Sequence, residues 1–173
     1  MNHEELVNIA KKWLVGSAGA AFAVGEVVSF NGEIPDAIGF KSECSILVEC
    51  KTSRSDFLAD RKKPFRVNPE KGMGDHRFFL CPPNIITPED ELNGWGLLWA
   101  YKGRVRQIIN PVKEVYTPYS TRPENQKRKV TSYQWRKHKH KKNAHAEHRL
   151  LISLTRRMAQ KCEYLEKNIE VRK

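Results

Sequence analysis

Residues 44–63 read CSILVECKTSRSDFLADRKK, an apolar run that ends in charged residues and continues into a polar stretch. The run from Cys44 to Thr52 predicts a β-strand that is buried on both faces. The residues that follow, Ser53–Asp56, supply side chains that cap a helix N-terminus, and this helix is predicted to end near Pro64. A buried strand that leads directly into a helix indicates an α/β fold.

The flanking segments alternate between helix and strand patterns. Amphipathic stripes predict a first helix over Glu4–Leu14 and a last helix from Asn143 to about Lys167. Apolar or alternating runs predict further strands, namely Ala21–Phe30, Ile34–Phe40, His76–Cys81, Gly96–Tyr101 and Val105–Ile109. Asn31-Gly32 predicts a tight hairpin turn between the first two of these. The order of elements predicts a mixed β-sheet flanked by helices.

The composition favours a soluble protein that binds a polyanion. The 173 residues include 31 Lys or Arg against 20 Asp or Glu, which gives a net charge of +11. Nucleic acid is the commonest partner for such a balance, and a merely soluble basic surface is the alternative. Short apolar runs and the lack of a signal-peptide layout predict a cytoplasmic location with no membrane association. The four cysteines have no paired spacing and are expected to be reduced thiols.

The chain is expected to divide into a core over residues 1–110 and a basic linker with the C-terminal helix over residues 111–173. Between Lys127 and Lys142 there are eight Lys or Arg and no acid, with Tyr133 and Trp135 interleaved. This pattern suits phosphate contacts with some base stacking, and a flexible solvated tail is the alternative. The predicted nucleic-acid-binding residues here are Lys127, Arg128, Lys129, Arg136, Lys137, Lys139, Lys141 and Lys142.

Three polar residues lie at the ends of adjacent predicted strands. Because side chains two apart on a strand share a face, Glu49 and Lys51 should point the same way, and a neighbouring strand can bring Asp36 beside them. Two carboxylates at one point repel each other unless a cation lies between them, and oxygen ligands suit Mg²⁺ or Mn²⁺. The backbone carbonyl of Cys50 could supply a further ligand. An ordinary Glu–Lys ion pair at a strand end is the alternative.

Three longer stretches carry a resemblance to a known superfamily. They are GEIPDAIGF at 32–40, SILVECKTSRSDFLADRKKPFR at 45–66 and HRFFLCPP at 76–83. Together they resemble the PD-(D/E)XK nuclease superfamily, with Pro35-Asp36 as the first motif and Glu49-Cys50-Lys51 as the second. The stretch KTSRSDFLADRK followed by RFFL is similar to the small MmcB-like DNA-repair nucleases and related phage-encoded proteins. The resemblance implies a restriction-endonuclease-like core, here with a basic C-terminal helical extension.

The resemblance also implies roles for individual residues. Asp36 and Glu49 are implied to bind the metal, and Lys51 is implied to be the catalytic lysine. Members often add an acid from the first helix or first strand, and Glu26 is preferred to Glu5 for this place. For Glu26, the alternative is a solvent-facing residue at the sheet edge.

The helix after the second motif is expected to contribute contacts to nucleic acid from Ser53, Arg54, Ser55, Lys62 and Lys63. The serines most simply cap the helix, whose free amides and positive dipole end could also meet a phosphate. Lys62 and Lys63 are candidates for phosphate contacts. Asp60 and Arg61 could reach the DNA backbone or hold the active-site strand by ion pairs.

These observations predict a metal-dependent nuclease that hydrolyses DNA phosphodiester bonds in phage or bacterial DNA repair, recombination or degradation. The first alternative is a non-catalytic nucleic-acid-binding module that keeps the fold. The second is a phage protein that docks on a host protein through its last helix. The sequence leaves open whether the DNA is duplex, single-stranded or branched, and whether RNA serves instead. A homodimer would suit cutting of both strands.

Overall fold

The structure, a computed structural model, describes residues 1–111 and 139–170, with side chains through residue 167. Its helices are α1 (His3–Gly16), α2 (Arg54–Asp60), α3 (Pro64–Val67) and α4 (Ala144–Glu170), and a 3₁₀ turn covers Pro69–Lys71. Its strands are β1 (Phe22–Val24), β2 (Ala37–Phe40), β3 (Ser45–Cys50), β4 (His76–Cys81), β5 (Gly96–Tyr101) and β6 (Arg104–Ile109). Three strands thus follow α1, the helices α2 and α3 come next, and three more strands precede α4, which is the order of helices and strands that the sequence predicts.

The six strands form one mixed sheet in the order β1 to β6. β1, β2 and β3 pair antiparallel, and Ala37 lies opposite Val48. β3, β4 and β5 run parallel, and β6 returns antiparallel to β5. The parallel connection from β3 to β4 passes through α2 and α3, because parallel neighbours need a crossover. The predicted α/β class with a mixed sheet is confirmed.

Apolar side chains cover both faces of the sheet. On one face α1 packs through residues such as Leu6 and Leu14 against Ile46 and Val48 of β3. On the other face Leu47 packs in a second cluster with side chains of α2, β4 and the first turns of α4. All six residues of β3 are buried, as the continuous apolar run predicts. Successive side chains of a strand point to opposite faces of the sheet. Because Val48 points toward α1, residues 49 and 51 follow Leu47 onto the opposite face or onto its continuation, where α2 lies.

The segment before β2 differs from its prediction. The expected strand Ala21–Phe30 stops at Val24, and the expected strand Ile34–Phe40 begins only at Ala37. Within the connection 25–36, Glu26 has φ 54°, which no strand accommodates. The connection is also tied to distant backbone, because Asn31 donates to the Lys71 carbonyl over 2.7 Å. Asn31-Gly32 therefore lies in the turn of a longer loop and does not close a two-residue hairpin.

The first residues of α4 belong to the core. Asn143 accepts a hydrogen bond from the Ala146 amide over 2.9 Å, which caps the helix where the sequence places its start. Ala146 and Leu150 are buried in the cluster on the α2 face. From Thr155 to Lys167 every side chain is exposed. In the described residues, no helix is both long and apolar enough to cross a bilayer.

Candidate active site

Glu49 and Lys51 lie at the carboxyl end of β3 with their side chains on one face. The Lys51 Nζ is 3.4 Å from the Glu49 Oε2, which confirms the expected shared direction. Both side chains are almost fully buried, with exposures of 4% and 2%. A charged pair at this depth is costly unless further partners satisfy it. The site must therefore include more groups than these two.

The missing partners come from α2 and α3. Asp60 accepts a hydrogen bond from the Lys51 Nζ over 2.9 Å and one from the Arg66 Nε over 2.6 Å. Arg66 also reaches Glu49, with 3.1 Å between its NH2 and the Oε2, and the Lys63 Nζ lies 2.8 Å from Asp60. Of the two roles that the sequence left open for Asp60, contact with DNA or ion pairs that hold the end of β3, the structure shows the ion pairs. The sequence assigned no role to Arg66, although this residue ends the stretch 45–66 that carries the resemblance.

The charge balance fixes the ionisation of Asp60. Burial alone raises its pKa, but Arg66, Lys51 and Lys63 together outweigh burial and lower the pKa to about 2. The Asp60 carboxylate is therefore ionised at neutral pH. It holds Lys51 against the end of β3 by a buried ion pair.

Asp36 directly precedes β2 and sits beside the same strand end. Its Oδ2 accepts a hydrogen bond from the amide of Cys50, the residue between Glu49 and Lys51, over 2.7 Å. Burial first, and then the charge of Glu49, raise the pKa of Asp36. Asp36 and Glu49 are therefore close enough to repel each other. This brings Asp36, Glu49 and Lys51 together, as the alternation of β-strands predicts.

Neither Glu26 nor Glu5, the two candidates for an additional acid of the site, contacts Glu49 or Lys51 within the described residues. The Glu26 side chain is 61% exposed and meets the site through His3, whose Nδ1 lies 3.7 Å from the Glu26 Oε1. The His3 Nε2 in turn is 3.2 Å from the Asp36 Oδ1. Glu5 closes a capping box with Asn2 at the start of α1, which occupies its carboxylate. His3 is thus the α1 residue that contacts the site, and no sequence motif marked it.

The donor set suits a hard divalent cation only in part. Asp36 and Glu49 offer carboxylate oxygens, and their mutual repulsion is of the kind that a cation relieves. Glu49, however, is already ion-paired to Lys51 and Arg66. Across residues 1–111 and 139–167, no three His, Cys, Asp or Glu side chains form a metal-binding group. The pair therefore fits an ion that keeps most of its ligands as water or substrate, as Mg²⁺ usually does.

The α2 residues expected to contact nucleic acid have several structural partners. Ser53 caps the helix by accepting from the Asp56 amide over 3.2 Å, and its Oγ lies 2.9 Å from that of Ser55. Arg54 donates hydrogen bonds to both carboxylate oxygens of Asp90 and to the Ile85 carbonyl. Lys63 pairs with Asp60 in the site, and Lys62 is exposed. Of this group, Lys62 keeps its charge toward solvent.

The basic segment is only partly within the described residues. Lys127, Arg128, Lys129, Arg136 and Lys137 lie outside them. Lys142 donates to Asp75 and Glu147 over 2.5 and 2.6 Å, and Lys139 donates to the Glu43 carbonyl over 2.5 Å. The carbonyl of Lys141 accepts from Arg77 over 3.3 Å. Lys139 and Lys142 thus hold the entry to α4 against the sheet, a structural role that charge alone does not reveal.

Comparison with known proteins adds information on the fold. No protein-family model and no curated protein matches the chain. Among solved structures, it is similar to the SPO1766 protein of unknown function from Silicibacter pomeroyi, with a TM-score of 0.54 and 21% identity. The match covers 91% of this chain and 89% of that one. At this identity the similarity is one of fold, and it extends over nearly the whole of both chains.

Proposed function

We propose that this protein is a metal-dependent deoxyribonuclease with a restriction-endonuclease-like core, acting in phage or bacterial DNA repair, recombination or degradation. The observation that carries the proposal is the convergence of Asp36, Glu49 and Lys51 at the adjoining ends of β2 and β3. The two carboxylates are electrostatically coupled, and the lysine lies 3.4 Å from one of them. The order of these residues matches the motif order that the sequence resemblance implies.

Each residue has a definable part in such chemistry. A divalent cation held by Asp36 and Glu49 would polarise a phosphoryl oxygen and lower the pKa of a bound water. Asp36 is the more accessible acid, with 17% of its side chain exposed. Lys51 places a positive charge beside Glu49, where it can stabilise negative charge that develops on the phosphate. Asp60 and Arg66 position Lys51 and Glu49 and do not need to touch the substrate.

Cleavage assays on several DNA forms test this proposal. Wild type, Asp36→Asn and Lys51→Met would be incubated with linear, circular, single-stranded and branched DNA in Mg²⁺, Mn²⁺ or EDTA. We expect cleavage of at least one form that requires metal and is lost in both variants. Glu163→Gln makes the same acid-to-amide change on the exposed part of α4 and should cleave like wild type.

A second candidate function is supported by the ion pairing of Glu49. Lys51, Lys63 and Arg66 all lie within 3.6 Å of its Oε2, so the carboxylate is balanced without any added cation. Such a cluster suits a nucleic-acid-binding protein that keeps the fold without cutting. In that case no DNA form is cleaved in either metal, while salt-sensitive DNA binding persists in wild type and both variants.

A further inference from the structure

An open groove lies between the first half of α4 and the loop residues 28–30. Its volume is about 570 Å³. The side chains that line it include no acid, and four of them are Arg or His, namely His145, His148, Arg149 and Arg156. All four are exposed. The groove therefore has the charge that an anionic ligand requires.

The cations of the groove differ from the basic residues nearer the sheet. Arg54 forms an ion pair with Asp90 and Lys142 forms one with Asp75, each over 2.5 Å. Arg149 and Arg156 form no ion pair with any residue that the structure describes. The guanidinium carbon of Arg149 instead lies 4.1 Å from the centre of the Phe30 ring. Within residues 1–111 and 139–167, no carboxylate therefore neutralises these two arginines of the groove.

The groove also has an aromatic platform. Phe30 contacts the Arg149 guanidinium and lies nearly perpendicular to the His145 ring, whose centroid is 5.9 Å away. It nevertheless remains 64% exposed, and Val28 and Ile152 beside it are 63% and 55% exposed. An exposed aromatic ring beside cationic side chains is the combination that binds unstacked bases together with their phosphates.

We propose that this groove binds a single strand of nucleic acid, with Arg149 and Arg156 on the phosphates and Phe30 stacked on a base. A duplex keeps its bases stacked on each other and leaves none for Phe30. The connection 25–36 joins the groove to the candidate active site, since Ser29 lines the groove and Asp36 ends the connection. The inference deepens the proposed function and rests on it for the class of ligand.

Binding of a fluorescein-labelled oligothymidylate, followed by fluorescence anisotropy in EDTA, tests the inference. The double variant Arg149→Gln/Arg156→Gln should weaken binding about tenfold and lower the slope of log K against log salt by roughly 1.4, or about 0.7 per lost phosphate contact. Phe30→Ala should weaken binding by about fivefold or more, while Phe30→Tyr keeps the stacking surface and the affinity. Arg157→Gln removes the same charge from the next residue of α4, outside the groove, and should bind like wild type.

Two outcomes would overturn the inference. One is a double variant that binds with the affinity and salt slope of the Arg157→Gln control. The other is a Phe30→Ala variant that binds the single strand like wild type. Such a result would show that no base stacks on Phe30, as expected for a groove that binds a duplex. Because the assay contains no metal, Asp36→Asn should bind normally. Loss of cleavage in that variant and loss of binding in the groove variants therefore report on separate claims.

Discussion

Asp60 lies on the buried side of α2, and its carboxylate contacts Lys51, Lys63 and Arg66. Its side chain is 1% exposed, and its pKa of about 2 lies below the usual value of 3.8. A carboxylate whose pKa is lower in the folded than in the unfolded state stabilises the fold at every pH above its unfolded-state pKa. That stability is lost as the pH falls through the pKa of the folded state. Asp60 should therefore contribute stability at neutral pH that disappears between about pH 5 and pH 2.

Replacement of Asp60 by Asn tests this linkage. At pH 7 the variant should lose about 3 kcal/mol of unfolding free energy, because Lys51 and Arg66 keep their buried charges without this partner. The difference from wild type should shrink by about 2 kcal/mol as the pH falls to 2. Urea denaturation at several pH values measures both quantities. Glu163→Gln, the same acid-to-amide change on the exposed part of α4, should cost less than about 0.5 kcal/mol, and an equal loss in both variants would contradict the assignment.

At the scale of elements, α4 is anchored through its first two turns. The buried Glu147 accepts from the Ser45 hydroxyl over 2.6 Å and from the Gly74 amide over 2.7 Å. Its other oxygen accepts from Lys142 over 2.6 Å. The sequence predicts this helix well, because its apolar stripe is local. It does not predict the anchor, since Ser45 and Gly74 are more than 70 residues away along the chain.

Glu147→Ala should therefore destabilise the protein by about 3 kcal/mol, since it leaves a buried amide, a hydroxyl and Lys142 without this acceptor. Glu163→Ala changes the same residue type on the exposed part of α4 and should cost less than about 0.5 kcal/mol. Midpoints and slopes of urea unfolding curves measure the difference. Equal stability of the two variants would show that the first turns of α4 do not depend on this network.

The conformation of the connection 25–36 could not be predicted from the sequence. Its residues have the pattern of strands, yet Asn31 and Glu33 bond to backbone 40 positions away, at Lys71 and Met73. These contacts join the tip of the connection to the residues that precede β4, and no strand of the sheet includes residues 25–36. Asp36 could be placed because it precedes a buried strand that pairs with β3. Glu26 could not, because a left-handed residue in a loop leaves no periodic signal.

On the scale of the whole molecule, the net charge of +11 predicts a polyanionic partner but not where it binds. Several cations chosen from the sequence are paired with acids far along the chain, as Arg54 is with Asp90. Such pairs have no sequence signature, because they depend on which loops the fold brings together. The exposed arginines of α4 fall outside the densest run of charge and were therefore not singled out. Charge density along the chain therefore does not show which cations the fold pairs with acids.

The whole-molecule packing predicts where the chain can be shortened. A chain that ends at residue 156 keeps Ala146, Glu147 and Leu150, and it should unfold cooperatively. A chain that ends at residue 142 loses these buried contacts, and its stability should fall by about 5 kcal/mol or more, a large part of what a domain of this size has. Circular dichroism during thermal unfolding distinguishes the two. A shorter chain that unfolds like the longer one would support an independent core over residues 1–110.

The central claim is that Asp36, Glu49 and Lys51 form a site that cuts DNA, and the initial rate of DNA cleavage in Mn²⁺ tests it most directly. The rate would be compared between wild type and Asp36→Asn, with Glu163→Gln as the control prepared in the same way. We predict metal-dependent cleavage that falls by at least about 100-fold in Asp36→Asn and is unchanged in the control. Cleavage of equal rate in all three proteins, or no cleavage in any of them, would contradict the claim.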